Sequence, residues 1–334
     1  MSRPYHGGRL RAAAARWNIP LTDWLDLSTG INPHAWPIPE LPAQVWQRLP
    51  EDEDGLAEIL QHWLQAPSSR HCLPVAGSQA AIQALPRLRQ PGRVAVPVIG
   101  YAEHGWAWQQ AGHEVLSLTA DQIAEQLDGL DVVVWIQPNN PTAESLPLDR
   151  LLAWQAQLAQ RGGWLLVDEA FLMPGQQSLA PHVDRAGLLV LRSLGKFFGL
   201  AGIRAGVVAG APDTMATLVE FLGPWALSGP ARHIMAAAVQ DSHWQQVMAA
   251  HLARQSARLC ALLHQHGLVV SGATPLFAYV QTPRAQPLAE QLATQGILVR
   301  LFEAPSALRF GLPGTEAGWQ RLDEVLSVSL DETH

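Results

Sequence analysis

Short runs of consecutive apolar residues recur through the middle of the chain, spaced widely enough for a helix to lie between them. They cover residues 93–96, 114–118, 132–136, 164–168, 187–191 and 205–209. These runs lack the polar alternation of a half-exposed strand, so they read as strands buried on both faces. Between them, residues 78–88, 104–111 and 148–160 repeat apolar positions at helical spacing. Helical crossovers between buried strands predict a mostly parallel sheet.

Beyond Gly229-Pro230 the pattern changes. A long helical period runs to His266 with a break near Asp241-Ser242. Strands are expected after it at 268–271, 276–281, 297–301 and 307–312, with helices at 287–294 and 316–330. The fold class is therefore α/β, with a large domain over 45–225 and a smaller α+β C-terminal domain over 226–334. Residues 1–44, rich in Pro and Trp, read as an N-terminal arm that packs with the small domain or reaches across a dimer.

Composition narrows the classes. The chain has 334 residues, which suits one large and one smaller domain. A net charge of −7, from 22 basic and 29 acidic side chains with no basic block, argues against a nucleic-acid partner. Cys72 and Cys260 stand far apart in no metal-like spacing, and the histidines show no paired ligand pattern, so no disulfide framework and no metal are expected. The chain carries neither a signal-peptide pattern nor eighteen apolar residues in a row; a cytoplasmic protein with no membrane partner is expected.

The candidate chemistry centres on Lys196. It sits in an apolar run, with Ser193 three residues before it and Arg204 eight after. A lysine amine attacks carbonyls when apolar surroundings and a second cation lower its pKa. A hydroxyl and a guanidinium beside it suit a phosphate, so the set fits an aldehyde cofactor that carries one. A P-loop does not fit, because Val190 and Phe197 stand where a glycine and a Ser or Thr are required. No G-x-G-x-x-G follows any strand, which argues against a nucleotide.

Ligands of open α/β sheets sit beyond the carboxyl ends of the strands. Gln137-Pro138-Asn139-Asn140-Pro141-Thr142 follows one apolar run, Asp168-Glu169-Ala170-Phe171 ends another, and the Ser193/Lys196 segment follows a third. Ala76-Gly77-Ser78-Gln79 opens a helix and offers free N–H groups to a phosphate. Taken singly, these are ordinary turn, cap and strand-end chemistry. Their order and spacing carry the weight.

Together with Leu308-Arg309-Phe310, these motifs resemble the fold-type-I pyridoxal 5′-phosphate enzymes over nearly the whole chain. Within that group the sequence is similar to the branch containing the histidinol-phosphate aminotransferases and the threonine-phosphate decarboxylases of cobalamin biosynthesis. The resemblance implies that Lys196 forms the Schiff base, that Asp168 keeps the pyridine nitrogen protonated, and that Asn140 bonds the ring hydroxyl. It implies further that Gly77, Ser78, Ser193 and Arg204 hold the cofactor phosphate, with Gln79 in the same loop. Tyr101 matches the ring-stacking aromatic, in a stretch that can be aligned two ways. Arg309 is implied to fork onto the substrate carboxylate, and a homodimer is implied as the assembly.

Two features favour decarboxylation over transamination. Phe171 stands where aminotransferases of this branch carry a tyrosine, and it has no hydroxyl to bond the ring oxygen. His6-Gly7-Gly8 and Ser28-Thr29-Gly30-Ile31-Asn32-Pro33 look like the arm of the decarboxylases. The implied reaction converts L-threonine O-3-phosphate to (R)-1-amino-2-propanol O-2-phosphate. A phosphorylated amino acid needs a second anion site, for which Arg300 and His6 are the candidates, with Asn32 also placed at the substrate. A surface arginine and a packing histidine are the bland readings of Arg300 and His6. An aminotransferase acting on histidinol phosphate is the alternative. A scaffold without catalysis is a further one, opposed by the intact lysine, aspartate, asparagine and arginines.

Overall fold

Seven strands form one sheet in the order Cys72–Val75, Gly206–Gly210, Leu188–Ser193, Trp164–Asp168, Val132–Ile136, Arg93–Pro97, Glu114–Leu118. The coordinates are a computed structural model that describes residues 6–331, with side chains as far as residue 328. From Leu188–Ser193 to Glu114–Leu118 all neighbours run parallel, and Gly206–Gly210 runs against the strand on either side. Val132–Ile136 and Gly206–Gly210 are buried at every position, as unbroken apolar runs require.

The chain goes from Arg93–Pro97 outward to Glu114–Leu118 and then returns to add Val132–Ile136 on the other side. That reversal is a topological switch point, and it opens a crevice beyond the carboxyl ends of the strands. The helices Ser78–Ala84, Glu103–Gln110, Ala120–Gln126 and Leu148–Ala159 supply crossovers and cover. Ile82, Leu85, Trp108, Val134, Leu166, Leu189 and Val208 pack in one cluster against the sheet. Each such side chain, fully buried, stabilises the fold by about 1.5–3 kcal/mol.

This unit comprises Trp36–Asn140 and Glu144–Gln245, so residues 36–44 fall with the large sheet. The second unit comprises residues 6–35, 141–143 and 246–331. Its four-stranded antiparallel sheet runs Arg300–Phe302, Ala307–Gly311, Phe277–Gln281, Gly272–Thr274. A separate parallel pair joins Leu25–Asp26 to Ile297–Leu298. The helix Leu10–Trp17 packs through Ala13 against Trp24 and Ala293.

Several elements differ from the sequence expectation. Residues 268–271 are not a strand: Gly267 closes the preceding helix at positive φ, and pairing to Phe277–Gln281 starts at Gly272. The expected strand 297–301 is two strands in different sheets, divided at Val299. The helix expected over 78–88 is α-helical only to Ala84 and tightens to a 3₁₀ turn at Leu85–Leu88, where Pro86 has no N–H to give. Cys72–Val75 was not anticipated, because Pro74 interrupts it; the strand lies at the sheet edge, where proline is tolerated. Among the described residues no helix is long and apolar enough to cross a membrane.

Candidate active site

All the cofactor residues expected from the sequence line a single cavity of about 150 Å³ in the first unit: Gly77, Ser78, Gln79, Tyr101, Asn140, Asp168, Phe171, Ser193, Lys196 and Arg204. The cavity lies at the carboxyl ends of the parallel strands, beside the switch point. Each strand delivers its residue by ending there.

The Lys196 segment is a loop held by its apolar members. Leu194, Phe197, Phe198 and Leu200 are buried, and Phe198 stacks on Trp244. Backbone bonds from Leu194 to Ala205 and from Leu200 to Leu194 close the loop on itself. Lys196 is the polar exception, and its Nζ stands 5.2 Å from the centre of the buried Phe171 ring. Ser193 Oγ accepts the Gly195 N–H at 3.1 Å, which turns the chain off the strand.

Arg204 ends this loop in the left-handed region, at φ 53°. The cost of that conformation for a non-glycine residue is of order 1–3 kcal/mol, and such strain gathers at functional sites. Its guanidinium lies so near Gly77 that a Cβ built there would meet Nη2 at 2.9 Å, and Gly77 itself has φ +74°. The next strand begins with Gly206, where a Cβ would stand 2.9 Å from the Ser78 nitrogen. The two glycines and the arginine therefore form a tight cradle at the start of the helix Ser78–Ala84. Backbone N–H groups, two hydroxyls and a cation in a cradle that only glycine permits suit a phosphate.

Asp168 is buried, with both carboxylate oxygens occupied. Oδ1 accepts the Ala170 N–H at 3.0 Å, and Oδ2 lies 2.9 Å from His104 Nε2. His104 is buried and its Nδ1 has no hydrogen-bond partner. With Nδ1 dry, the proton belongs on Nε2, where it serves Asp168. Sequence reasoning missed His104. It stands 64 residues from Asp168 in the chain, and a histidine on a buried helix face gives no local sign of its partner.

Glu169, fully buried, was also missed. It accepts from Ser178 Oγ at 2.6 Å and the Leu179 N–H at 2.7 Å, and pairs with Arg192 at 3.4 Å. Burial pushes its carboxyl up, and the Arg192 charge opposes that. The pair ties together the ends of the strands that present Asp168 and Ser193. Gln137 does the same for the Asn140 turn, accepting from Trp135 Nε1 and the Leu146 N–H and donating to the Leu146 carbonyl.

The four residues expected at the substrate, His6, Asn32, Arg300 and Arg309, belong to the second unit. Arg309 is buried, donates from Nη2 to the Ser28 carbonyl at 2.9 Å and lies over Phe277. Burial, and then the charge of Arg300, lower it to about 10, so it stays a cation at neutral pH. Arg300 and Arg309 are direct partners across the antiparallel pair. Two like charges directly opposite on one sheet repel each other, and the charge of Asp26 offsets part of that at Arg309. Arg300 and His6 line one cavity of about 210 Å³. Asn32 is buried and accepts the His34 N–H at 2.9 Å, an Asx turn that shapes the arm.

Comparison with known proteins places this geometry in a family. Residues 23–326 match the family model described as aminotransferase class I and II. A threonine-phosphate decarboxylase of Pseudomonas aeruginosa is 50% identical over 330 residues, covering 98% of this chain and 99% of its own. A second, from Sinorhizobium sp, is 41% identical over 98% of this chain and 99% of its own. Among solved structures, histidinol-phosphate aminotransferase from Sinorhizobium meliloti, in complex with pyridoxal-5′-phosphate, superposes with a TM-score of 0.86 at 17% identity, over 100% of this chain and 96% of that one. The chain has the fold-type-I architecture and belongs to the aminotransferase class I and II family, on its threonine-phosphate decarboxylase branch.

Proposed function

We propose that this chain is a pyridoxal 5′-phosphate-dependent decarboxylase that converts L-threonine O-3-phosphate to (R)-1-amino-2-propanol O-2-phosphate, a step in cobalamin biosynthesis. The observation that carries the reading is the end-to-end 50% identity to a threonine-phosphate decarboxylase. The cofactor cavity supports it chemically, since its residue set matches what the cofactor's groups require.

Bound pyridoxal phosphate supplies an electron sink for the pair left at Cα when CO2 departs. The protein's part is to hold and to move protons. Asp168, held between the Ala170 amide and His104, would keep the ring nitrogen protonated. Asn140 bonds the ring hydroxyl, and Gly77, Ser78, Ser193 and Arg204 hold the phosphate. Lys196 would provide the amine for the cofactor's carbonyl, and Lys196 or a nearby water would return a proton to Cα. Arg309 forks onto the substrate carboxylate. Arg300 and His6 serve the substrate phosphate, a role supported by the cavity they share, and Asn32 is a further substrate-binding residue of the same unit.

A homodimer is part of the proposal.

The test is to incubate purified protein, loaded with pyridoxal phosphate, with threonine phosphate and to follow CO2. An aminotransferase acting on histidinol phosphate is the second reading. Amino transfer from histidinol phosphate to 2-oxoglutarate without CO2 release from threonine phosphate would establish it instead. A scaffold without catalysis predicts that added cofactor gives no visible absorbance that depends on Lys196.

A further inference from the structure

Glu103 is a buried carboxylate, 8% exposed, at the start of the helix Glu103–Gln110. Two side-chain amides converge on one of its oxygens, Gln79 Nε2 at 2.9 Å and Gln83 Nε2 at 3.2 Å. An ionised carboxylate only accepts hydrogen bonds. It therefore draws the nitrogen of the Gln79 amide toward itself and turns Oε1 away. That oxygen accepts the Tyr101 hydroxyl at 3.2 Å. The sense of the whole chain is set from Glu103 outward, and the phenol has to donate. Gln79 and Tyr101 line the cofactor cavity, whereas Glu103 stands behind them.

We propose that Glu103 is a positioning residue for the cofactor cavity: through Gln79 it holds the Tyr101 hydroxyl as a donor and the ring in one orientation at the cavity wall. The proposal rests on the reading of that cavity as the cofactor site. The surroundings of Tyr101 agree with it. Burial first, and then the charges of Glu103 and Asp168, raise the phenol to about 12, with Arg204 opposing them. The His104 ring meets Tyr101 edge-on at 6.1 Å, and Lys196 lines the same cavity. A half-buried phenol that donates to a fixed acceptor is held more closely in one orientation than one whose acceptor can turn.

The chain has three tyrosines, so phenolate absorbance can be followed during an alkaline titration of cofactor-free protein, with Tyr101→Phe subtracted to isolate one residue. Glu103→Gln keeps the size of the side chain but removes the charge and the one-way acceptor. Tyr101 should then ionise at lower pH than in the wild type. Equilibrium binding of pyridoxal phosphate gives a second readout. Glu103→Gln and Tyr101→Phe should each weaken it roughly three- to tenfold, with the double variant no worse than either, because both act on one relay. Should Glu103→Gln fail to fold, Gln79→Met breaks the relay from the other side and should reproduce the loss. An unchanged Tyr101 titration, or additive losses in the double variant, would overturn the proposal. Wild-type protein that binds no pyridoxal phosphate would sink the reading of the cavity, while a Tyr101 titration left unchanged by Gln79→Met, which keeps the Glu103 charge, would still overturn the relay.

Discussion

Lys196 is the one charged side chain in a loop otherwise pinned by Leu194, Phe197, Phe198 and Leu200, and the ring of Phe171 lies beside its amine. In the proposed reaction its use depends on Asp168, whose Oδ2 lies against His104. Replacing His104 by Ala leaves a buried carboxylate oxygen short of a donor, which costs about 1–3 kcal/mol. The thermal midpoint should fall, and cofactor binding should weaken with it. Asp168→Asn keeps the shape and removes the charge. It should lower kcat by about 10²–10³-fold while the protein stays folded, since the lost interaction is an electrostatic one made in the transition state. Steady-state kinetics beside circular dichroism separates the two variants: His104→Ala moves stability and rate, Asp168→Asn mainly rate.

At the scale of elements, the phosphate cradle rests on backbone that tolerates no side chain. Gly77→Ala would place a methyl 2.9 Å from the Arg204 guanidinium at a φ that L residues avoid. Pyridoxal phosphate affinity should drop at least tenfold, with a smaller effect on the affinity for free pyridoxal, which has no phosphate to lose. Such consequences were partly legible in the chain. Most of the parallel strands could be read from apolar runs such as 132–136 and 164–167, whereas Glu114–Leu118 is an edge strand with no buried position; Asp168, Asn140 and Ser193 could be singled out because they end or closely follow such runs. Cys72–Val75 was hidden by Pro74, whose meaning depends on lying at an edge. His104 and Glu103 were hidden because their partners, Asp168 and Gln79, are remote in sequence and are brought close only by the sheet. The split at Val299 was hidden because an apolar run does not reveal that its halves pair with different partners.

The proposed cofactor residues all belong to the first unit, and the proposed substrate arginines belong to the second. Within the first unit, Arg232 forks onto Asp54 through Nε and Nη2, each at 2.7 Å, and Asp54 also accepts the Leu56 N–H. Burial raises the Asp54 carboxyl, but the Arg232 fork and the Leu56 amide outweigh it and leave it below its usual 3.8. A depressed carboxylate stabilises the fold above that ordinary value and loses its contribution as pH falls through the lowered one. Denaturant midpoints should therefore decline below about pH 4. Asp54→Asn should be less stable at neutral pH and show a shallower acid decline.

The central claim is that the bond broken at Cα is the one to the carboxylate. Its most direct test is a product balance with carboxyl-labelled L-threonine O-3-phosphate and protein loaded with pyridoxal phosphate, run with 2-oxoglutarate present. One labelled CO2 should appear for each 1-amino-2-propanol phosphate formed, with no glutamate, and Lys196→Ala should form neither. Glutamate accumulating while the label stays in the organic fraction would contradict the account.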